Sequence, residues 1–272
     1  MATKTTTYEE MNSNKILSPT GEERAVRSPK RLARIAGVLY LLVAIFGGFA
    51  QGFVYPKIYV AGDAAKTVGN LIANSGLVRL GIVADLFQAT VWVFVAITLY
   101  LLLKHVNKSV AGAMVVLAAM GASITMLNTV FEFEALRAAT GAVNLAAFSA
   151  AGSNALMLLL VDAQHNGIFV AQIFMGLWLA PLGYLAYRSG WFPKALGIVL
   201  IVGCVSYLVD LFAVFLAPDF DKVIHGFVTI PSAIAEIWMV LYLLVRGVKV
   251  SAQSTPTGRA GKTSRVLGAE LP

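Results

Sequence analysis

Residues 79–104 read RLGIVADLFQATVWVFVAITLYLLLK, an almost wholly apolar stretch with one acidic residue, Asp85, in its first half. A helix needs roughly 20 mainly apolar residues to cross a membrane core about 30 Å thick. This stretch is long enough, so it predicts a transmembrane helix. Because Asp85 is well inside it, the stretch also predicts a polar group within the membrane.

Other parts of the 272-residue chain have the same apolar character. Hydrophobic residues make up 58% of the sequence and charged residues only 13%, more apolar surface than a soluble domain of this size can bury. We therefore predict an all-α integral membrane bundle of six transmembrane helices, forming a domain over 32–248. The polar tails at 1–31 and 249–272 are predicted to be disordered and cytoplasmic. The predicted spans lie near 33–55, 79–103, 110–135, 165–187, 194–217 and 226–246.

The net charge of +7 comes from basic residues in the tails and at the ends of the predicted helices. They form no patch with interleaved aromatic residues, so the sequence does not indicate nucleic-acid binding. With a cytoplasmic N-terminus, sixteen of the 21 Lys and Arg residues would lie inside and five outside. This asymmetry predicts that both termini are cytoplasmic. The five outer residues would be Lys57, Lys66, Arg79, Arg137 and Lys222.

Two longer connections are then extracytoplasmic, and each is predicted to carry a short helix. In the first, Asp63 is a suitable N-cap for a helix that Asn74 and Gly76 could end. In the second, residues 143–160 are apolar but interrupted by a Gly-Ser-Asn run at 152–154, which favours a surface or re-entrant element. The alternative is a seventh span. It would place the C-terminus outside and weaken the charge asymmetry.

Polar side chains recur inside the predicted spans, where a charged group at the helix centre costs about 2.5–3.5 kcal/mol. By the predicted topology most of them lie in the outer half of the membrane, with Glu236 near the middle. This distribution favours a polar pocket open to the outer face. Some of these groups could instead simply hydrogen-bond a neighbouring helix. The candidate ligand- or proton-binding residues are Asp85, Gln88, Asn128, His165, Asp210 and Glu236.

Sequence motifs for catalysis are absent. Histidines and carboxylates of suitable type occur within the spans, but none has the spacing of an HExxH or similar metal site. No GxSxG surrounds an intramembrane serine, and no phosphate-binding glycine motif is present. The sequence therefore predicts no cofactor and no metal site, and it identifies no catalytic residue.

At residues 79–104, at 182–212 (LGYLAYRSGWFPKALGIVLIVGCVSYLVDLF) and at 231–247 (PSAIAEIWMVLYLLVRG), the chain resembles a bacterial multi-pass membrane family. That family is catalogued as domain of unknown function 4386. The resemblance covers about residues 30–248 and implies the membrane fold and a place in the bacterial cytoplasmic membrane. It implies no reaction. The positions that match the recurring polar features of the family are Asp85, His165, Asp210 and Glu236.

The leading hypothesis is a protein that binds or conducts a small ligand or a proton through an outward-facing polar pocket. Asp85, Asp210 and Glu236 would be its protonatable core, with His165 as a neighbour that titrates near neutral pH. Two alternatives stay open: an intramembrane metal-dependent hydrolase or transferase, and a non-catalytic membrane assembly subunit. The expected partners are the lipid bilayer and a small molecule or proton, and the sequence does not indicate an oligomeric state.

Overall fold

The computed structural model describes residues 29–249, so the predicted tails at 1–31 and 249–272 lie almost entirely outside the described residues. In this part of the chain every regular element is a helix. The elements are α1 (Pro29–Gly47), a π-helix (Gly48–Val54), a 3-10 turn (Tyr55–Lys57), α2 (Ala64–Ala73), α3 (Ser75–Leu103), α4 (Lys108–Ala139), α5 (Ala150–Leu177), α6 (Leu179–Ser189), α7 (Lys194–Leu216), α8 (Pro218–Val228) and α9 (Ile230–Val245).

Six helical units are long and apolar enough to cross a membrane. The prediction of an all-α bundle with six spans is therefore confirmed for residues 29–249. An even number of spans places both ends of this part on the same side, while the cytoplasmic position of the two termini stays a prediction. We number the spans in chain order: Pro29–Lys57, Ser75–Leu103, Lys108–Ala139, Ala150–Ser189, Lys194–Leu216 and Lys222–Val245.

The fourth span begins at Ala150, well before the predicted start near residue 165. Ser149 caps α5, because its hydroxyl accepts a hydrogen bond from the Gly152 backbone N–H at 3.1 Å. The Gly-Ser-Asn run at 152–154 thus lies in the first turns of a capped helix, where small polar residues are tolerated. The prediction of a separate surface or re-entrant element at 143–160 is wrong. The residues from 150 onward belong to the fourth span.

A short helix does occupy the first longer connection. Asp63 caps α2, since its carboxylate accepts a hydrogen bond from the Lys66 backbone N–H at 2.9 Å. The helix ends at Ala73 with Asn74 as its C-cap, as predicted for Asn74, and α3 begins at Ser75, so Gly76 lies inside the second span. A further helix, α8, was not predicted; it begins before the sixth span, and its residues from Lys222 onward belong to that span.

The interior of the bundle contains two apolar clusters. The larger cluster includes Leu99, Met114, Leu182, Leu200 and Leu243 and reaches into all six spans. The smaller cluster is built around α2 and the ends of the first four spans that lie nearest to it. Its buried members are Val54, Ile58, Leu71, Val78, Ile82, Ala135, Leu136 and Val161.

Polar side chains lie between the two clusters, and we call this set the polar layer. On the second span, for example, Asp85 lies between Ile82 of the smaller cluster and Ala89 of the larger one. The fourth span has the same order, with the buried Gln164 between Val161 of the smaller cluster and Trp178 of the larger one. The polar layer consists of Gln51, Asp85, Asn128, Glu132 and Gln164.

Candidate functional site

A cavity of about 540 Å³ lies among the first, second, fourth, fifth and sixth spans. Its volume falls within the range of about 300–1,000 Å³ that is typical of small-molecule sites. Most of its wall is apolar, which makes it less polar than the pocket predicted from the sequence. The polar side chains that reach it are Tyr40, Gln51, Gln88, Tyr207 and Glu236.

Glu236 is the acidic residue of the cavity wall, and two tyrosines hold its carboxylate. The Tyr40 hydroxyl donates a hydrogen bond to Oε1 and the Tyr207 hydroxyl donates one to Oε2, each at 3.0 Å. These three residues come from the first, fifth and sixth spans. Among the described residues, no Lys, Arg or His forms an ion pair with Glu236. In this part of the chain its carboxyl group is therefore held by neutral hydrogen-bond donors.

Aromatic rings form one side of the cavity. Trp178 lies edge-on to Tyr40 at 5.5 Å and to Trp92 at 5.6 Å between ring centroids. Trp92 is seated against Gly121 of the third span, where an added Cβ would lie only 2.5 Å from the indole Cη2 atom. The absence of a side chain at Gly121 thus allows Trp92 its position in the wall.

The cavity opens sideways between the first and sixth spans. These spans touch at Gly37, where a Cβ would lie 2.9 Å from the Leu243 Cβ atom. Farther along, three lining residues lie on the outer surface of the bundle: Leu41 is 39% exposed, Ile237 is 59% exposed and Leu241 is 53% exposed. Because exposed apolar residues of a membrane bundle contact lipid, the opening faces the bilayer.

Asp85 lies behind the cavity rather than on its wall. It is 1% exposed, and its Oδ2 atom accepts a hydrogen bond from Gln51 Nε2 at 2.6 Å. Gln51 also lines the cavity, so its side chain contacts both the cavity and Asp85. Asn128, a second predicted site residue, is buried in the same polar layer and packs against Gly167 of the fourth span.

Asp210 forms a different group near α8. It is fully buried, its Oδ2 atom accepts a hydrogen bond from Gln172 Nε2 at 2.8 Å, and its Oδ1 atom lies 2.7 Å from His225 Nδ1. The His225 side chain is 51% exposed. This pair therefore joins the interior of the bundle to its surface. It approaches the cavity only through Tyr207, one turn before Asp210 on the fifth span.

His165 belongs to an aromatic stack beside the smaller cluster. Its ring is parallel to that of Tyr55 within 5° at 5.6 Å, and it also contacts Tyr59 at 5.0 Å and Phe169 at 5.1 Å. The Tyr59 hydroxyl donates to Asp162 Oδ1 at 2.7 Å. Burial and this hydrogen bond raise the pKa of Tyr59 to about 12.

The predicted site residues thus divide among neighbouring groups and do not converge on one pocket. Gln88 and Glu236 line the cavity, Asp85 and Asn128 lie in the polar layer, and Asp210 and His165 have separate partners. Sequence reasoning missed Tyr40 and Gln51. Gln51 was detectable, because it is a polar side chain inside the first span. In residues 29–249 no three His, Cys, Asp or Glu side chains are placed to hold a metal ion together.

Comparisons with known proteins show the family of this chain and bring no activity with it. An uncharacterized protein from Archaeoglobus fulgidus is 26% identical to this chain over 166 residues, which cover 60% of this chain and 82% of that protein. No solved structure matches the chain. The model of a family described as "Domain of unknown function (DUF4386)" matches residues 35–247, nearly the whole of the six spans. The chain is a multi-pass membrane protein and belongs to the DUF4386 family.

Proposed function

We propose that this protein binds a small amphipathic molecule in the cavity between its spans, and that it does so in the bacterial cytoplasmic membrane. The observation that carries the proposal is Glu236, an acidic side chain held by Tyr40 and Tyr207 at the wall of an otherwise apolar cavity. Ionisable residues within membrane spans are rare and mark ligand or ion sites. A cavity with few, well-placed polar groups is the usual form of a small-molecule site.

The head group that best suits this wall is an amine. The Glu236 carboxylate has no cationic partner among the described residues, and an ammonium group would supply both a positive charge and hydrogen-bond donors. Tyr40, Trp92 and Trp178 add aromatic faces, which attract cations when they are shielded from water. The apolar remainder of the wall suits an alkyl chain or another hydrophobic body.

The ligand would enter from the bilayer. The opening between the first and sixth spans is bordered by Leu41, Ile237 and Leu241, whose exposed side chains contact lipid. An amphipathic molecule already dissolved in the membrane could pass this border without first crossing water. Close contact at Gly37 and Leu243 would keep the two spans together while the cavity fills.

Binding to protein in lipid nanodiscs tests the proposal. We would follow tryptophan fluorescence during titration with dodecylamine, dodecanol and dodecanoate, which share a chain and differ in the head group. Dodecylamine should saturate the signal, and Glu236→Gln should weaken its binding at least tenfold. Glu134→Gln is the matched control, because Glu134 is paired with Arg137 and does not line the cavity. Equal binding of dodecanoate and dodecylamine would refute an amine site.

Proton passage is a second candidate, favoured by the contact between Asp210 and His225. A half-exposed imidazole touching a fully buried carboxylate is a suitable entry for protons. Proton flux into liposomes that contain the protein should then fall in Asp210→Asn, with Asp219→Asn as the control because Asp219 is exposed and paired with Lys222. Unchanged flux in Asp210→Asn would exclude this route.

A further inference from the structure

Unpartnered buried polar atoms concentrate at the polar layer. In residues 29–249, the buried side-chain nitrogen and oxygen atoms without a hydrogen-bond partner are Tyr55 Oη, Asp85 Oδ1, Asn128 Nδ2 and Gln164 Oε1. Three of these four residues belong to the layer. In a membrane interior each such atom costs several kcal/mol, because no bulk water can satisfy it. So many in one place indicate that a binding partner completes the layer.

The four residues that carry these atoms lie on the first four spans. Asp85 on the second span and Glu132 on the third both lie in the layer, where they are 1% and 5% exposed. Asn128, one turn before Glu132, packs its amide against Gly167 of the fourth span. Gln164 is one turn before Gly167 and 1% exposed. Apolar clusters lie on both sides of the layer and separate it from water.

The layer contains two buried carboxyl groups, those of Asp85 and Glu132. Among the described residues, no Lys, Arg or His forms an ion pair with Asp85 or Glu132. The hydrogen bond from Gln51 satisfies Asp85 Oδ2 but brings no positive charge. A bound cation would supply a positive charge that the side chains of the layer do not.

We propose that Asp85 and Glu132 bind a small hard cation of the size of Na⁺ or Ca²⁺. Both carboxylates would contribute oxygen ligands, and Gln164 Oε1 would contribute a third type of ligand from the facing span. The Asn128 amide can turn its oxygen toward the ion, because the oxygen and nitrogen of such an amide are assigned from their surroundings. Oxygen ligands of this kind suit alkali and alkaline-earth ions. This site is distinct from the cavity and does not depend on the proposed ligand.

A proton on one carboxylate is the competing explanation. It would leave that carboxyl group neutral and could satisfy Asp85 Oδ1. It would leave Gln164 Oε1 without a partner. The two explanations differ in a measurable way, because a layer completed by a proton responds to pH and not to the identity of the salt.

The full-length protein in lipid nanodiscs would be measured at one pH and constant ionic strength. Radioactive ²²Na⁺ and ⁴⁵Ca²⁺ binding would be recorded together with thermal unfolding in sodium, calcium, potassium and choline chloride. We expect saturable binding of Na⁺ or Ca²⁺, with a higher unfolding temperature in that salt than in choline chloride. Asp85→Asn and Glu132→Gln should each weaken binding at least tenfold. Glu134→Gln, two residues away on the same span, should leave it unchanged.

Two results would overturn the proposal. One is the absence of saturable Na⁺ and Ca²⁺ binding to the wild-type protein, a measurement that needs no variant to fold. The other is equal thermal stability in all four salts. Should Asp85→Asn or Glu132→Gln fail to fold, Asn128→Asp provides a further test, since it adds a charge at the same place. It should favour Ca²⁺ over Na⁺ by at least tenfold relative to wild type, and an unchanged preference would contradict the site.

Discussion

Replacement of Gly121 by alanine tests the packing that forms the cavity wall. The new Cβ would lie 2.5 Å from Trp92 Cη2, 2.7 Å from Cζ3 and 3.0 Å from the Phe174 Cβ atom. Carbon atoms pack at about 3.5–4.0 Å, so the indole must move by about 1 Å or more. Trp92 lines the cavity, which offers space for this movement. We expect Trp92 to shift into the cavity and reduce its volume.

The magnitude follows from two opposing effects. Overpacking of this kind destabilises a protein by typically 1–3 kcal/mol. Alanine in place of glycine inside a helix contributes up to about 1 kcal/mol in the favourable direction. The net loss for Gly121→Ala should therefore be about 0–2 kcal/mol, and dodecylamine should bind more weakly because the cavity is smaller.

Gly112→Ala is the matched control for this experiment. It makes the same change on the same span, but a Cβ at Gly112 would meet no atom within 4 Å. It should keep or raise the unfolding temperature and leave the tryptophan fluorescence unchanged. Thermal unfolding and tryptophan emission in nanodiscs measure both variants. Should Gly121→Ala prove as stable as Gly112→Ala, with an unchanged emission spectrum, the assigned contact between Trp92 and Gly121 would be incorrect.

Three further predictions concern Gln172, Tyr59 and Gln51. Gln172→Leu removes the amide that donates to the buried carboxylate of Asp210 at 2.8 Å, and it should destabilise the protein by about 1–3 kcal/mol in denaturant unfolding. An effect below the error of that measurement would argue against the contact. In Tyr59→Phe the loss of stability between pH 10 and 12 should be smaller than in wild type. The reason is that Tyr59 ionises near pH 12 when folded but near its ordinary pKa of 10 when unfolded, so wild-type stability falls as pH rises through this window. Identical pH profiles of unfolding temperature would contradict that assignment. Gln51→Leu should abolish any effect of Na⁺ or Ca²⁺ on dodecylamine affinity, because Gln51 touches both the cavity and the polar layer. Persistence of the ion effect in titrations of this variant would show that the two places communicate by another route.

Length and hydropathy were sufficient to predict the six spans, because crossing a membrane places a simple demand on composition. The same reasoning failed at the start of the fourth span. There the Gly-Ser-Asn run at 152–154 was interpreted as an interruption, although it lies in the first turns of α5 behind the Ser149 cap. In a sequence, small polar residues can mark either an interruption of a helix or its first turns. Only the position of the cap distinguishes them.

The cavity could not be predicted because its walls come from distant parts of the chain. Tyr40 and Glu236 are 196 positions apart, and their hydrogen bond depends on how the first and sixth spans are rotated. Gln51 presents a related difficulty. It lies in a π-helix, whose turn differs from the 3.6-residue period of an α-helix. The direction in which its side chain points therefore cannot be inferred from α-helical spacing. Burial of Asp85 was predictable from its depth alone.

The polar layer also limits how far each span can slide along its neighbours. One helical turn is a displacement of about 5.4 Å, and on the second span it would carry Asp85 to the level of Ile82 or Ala89. Its carboxylate would then lie inside an apolar cluster, and Gln51 could no longer reach it. Apolar helices alone would tolerate such slips, since one Leu-rich turn resembles the next. The layer therefore fixes the axial register of the spans during assembly. The bundle packs only when the polar side chains of neighbouring spans lie at the same depth in the membrane.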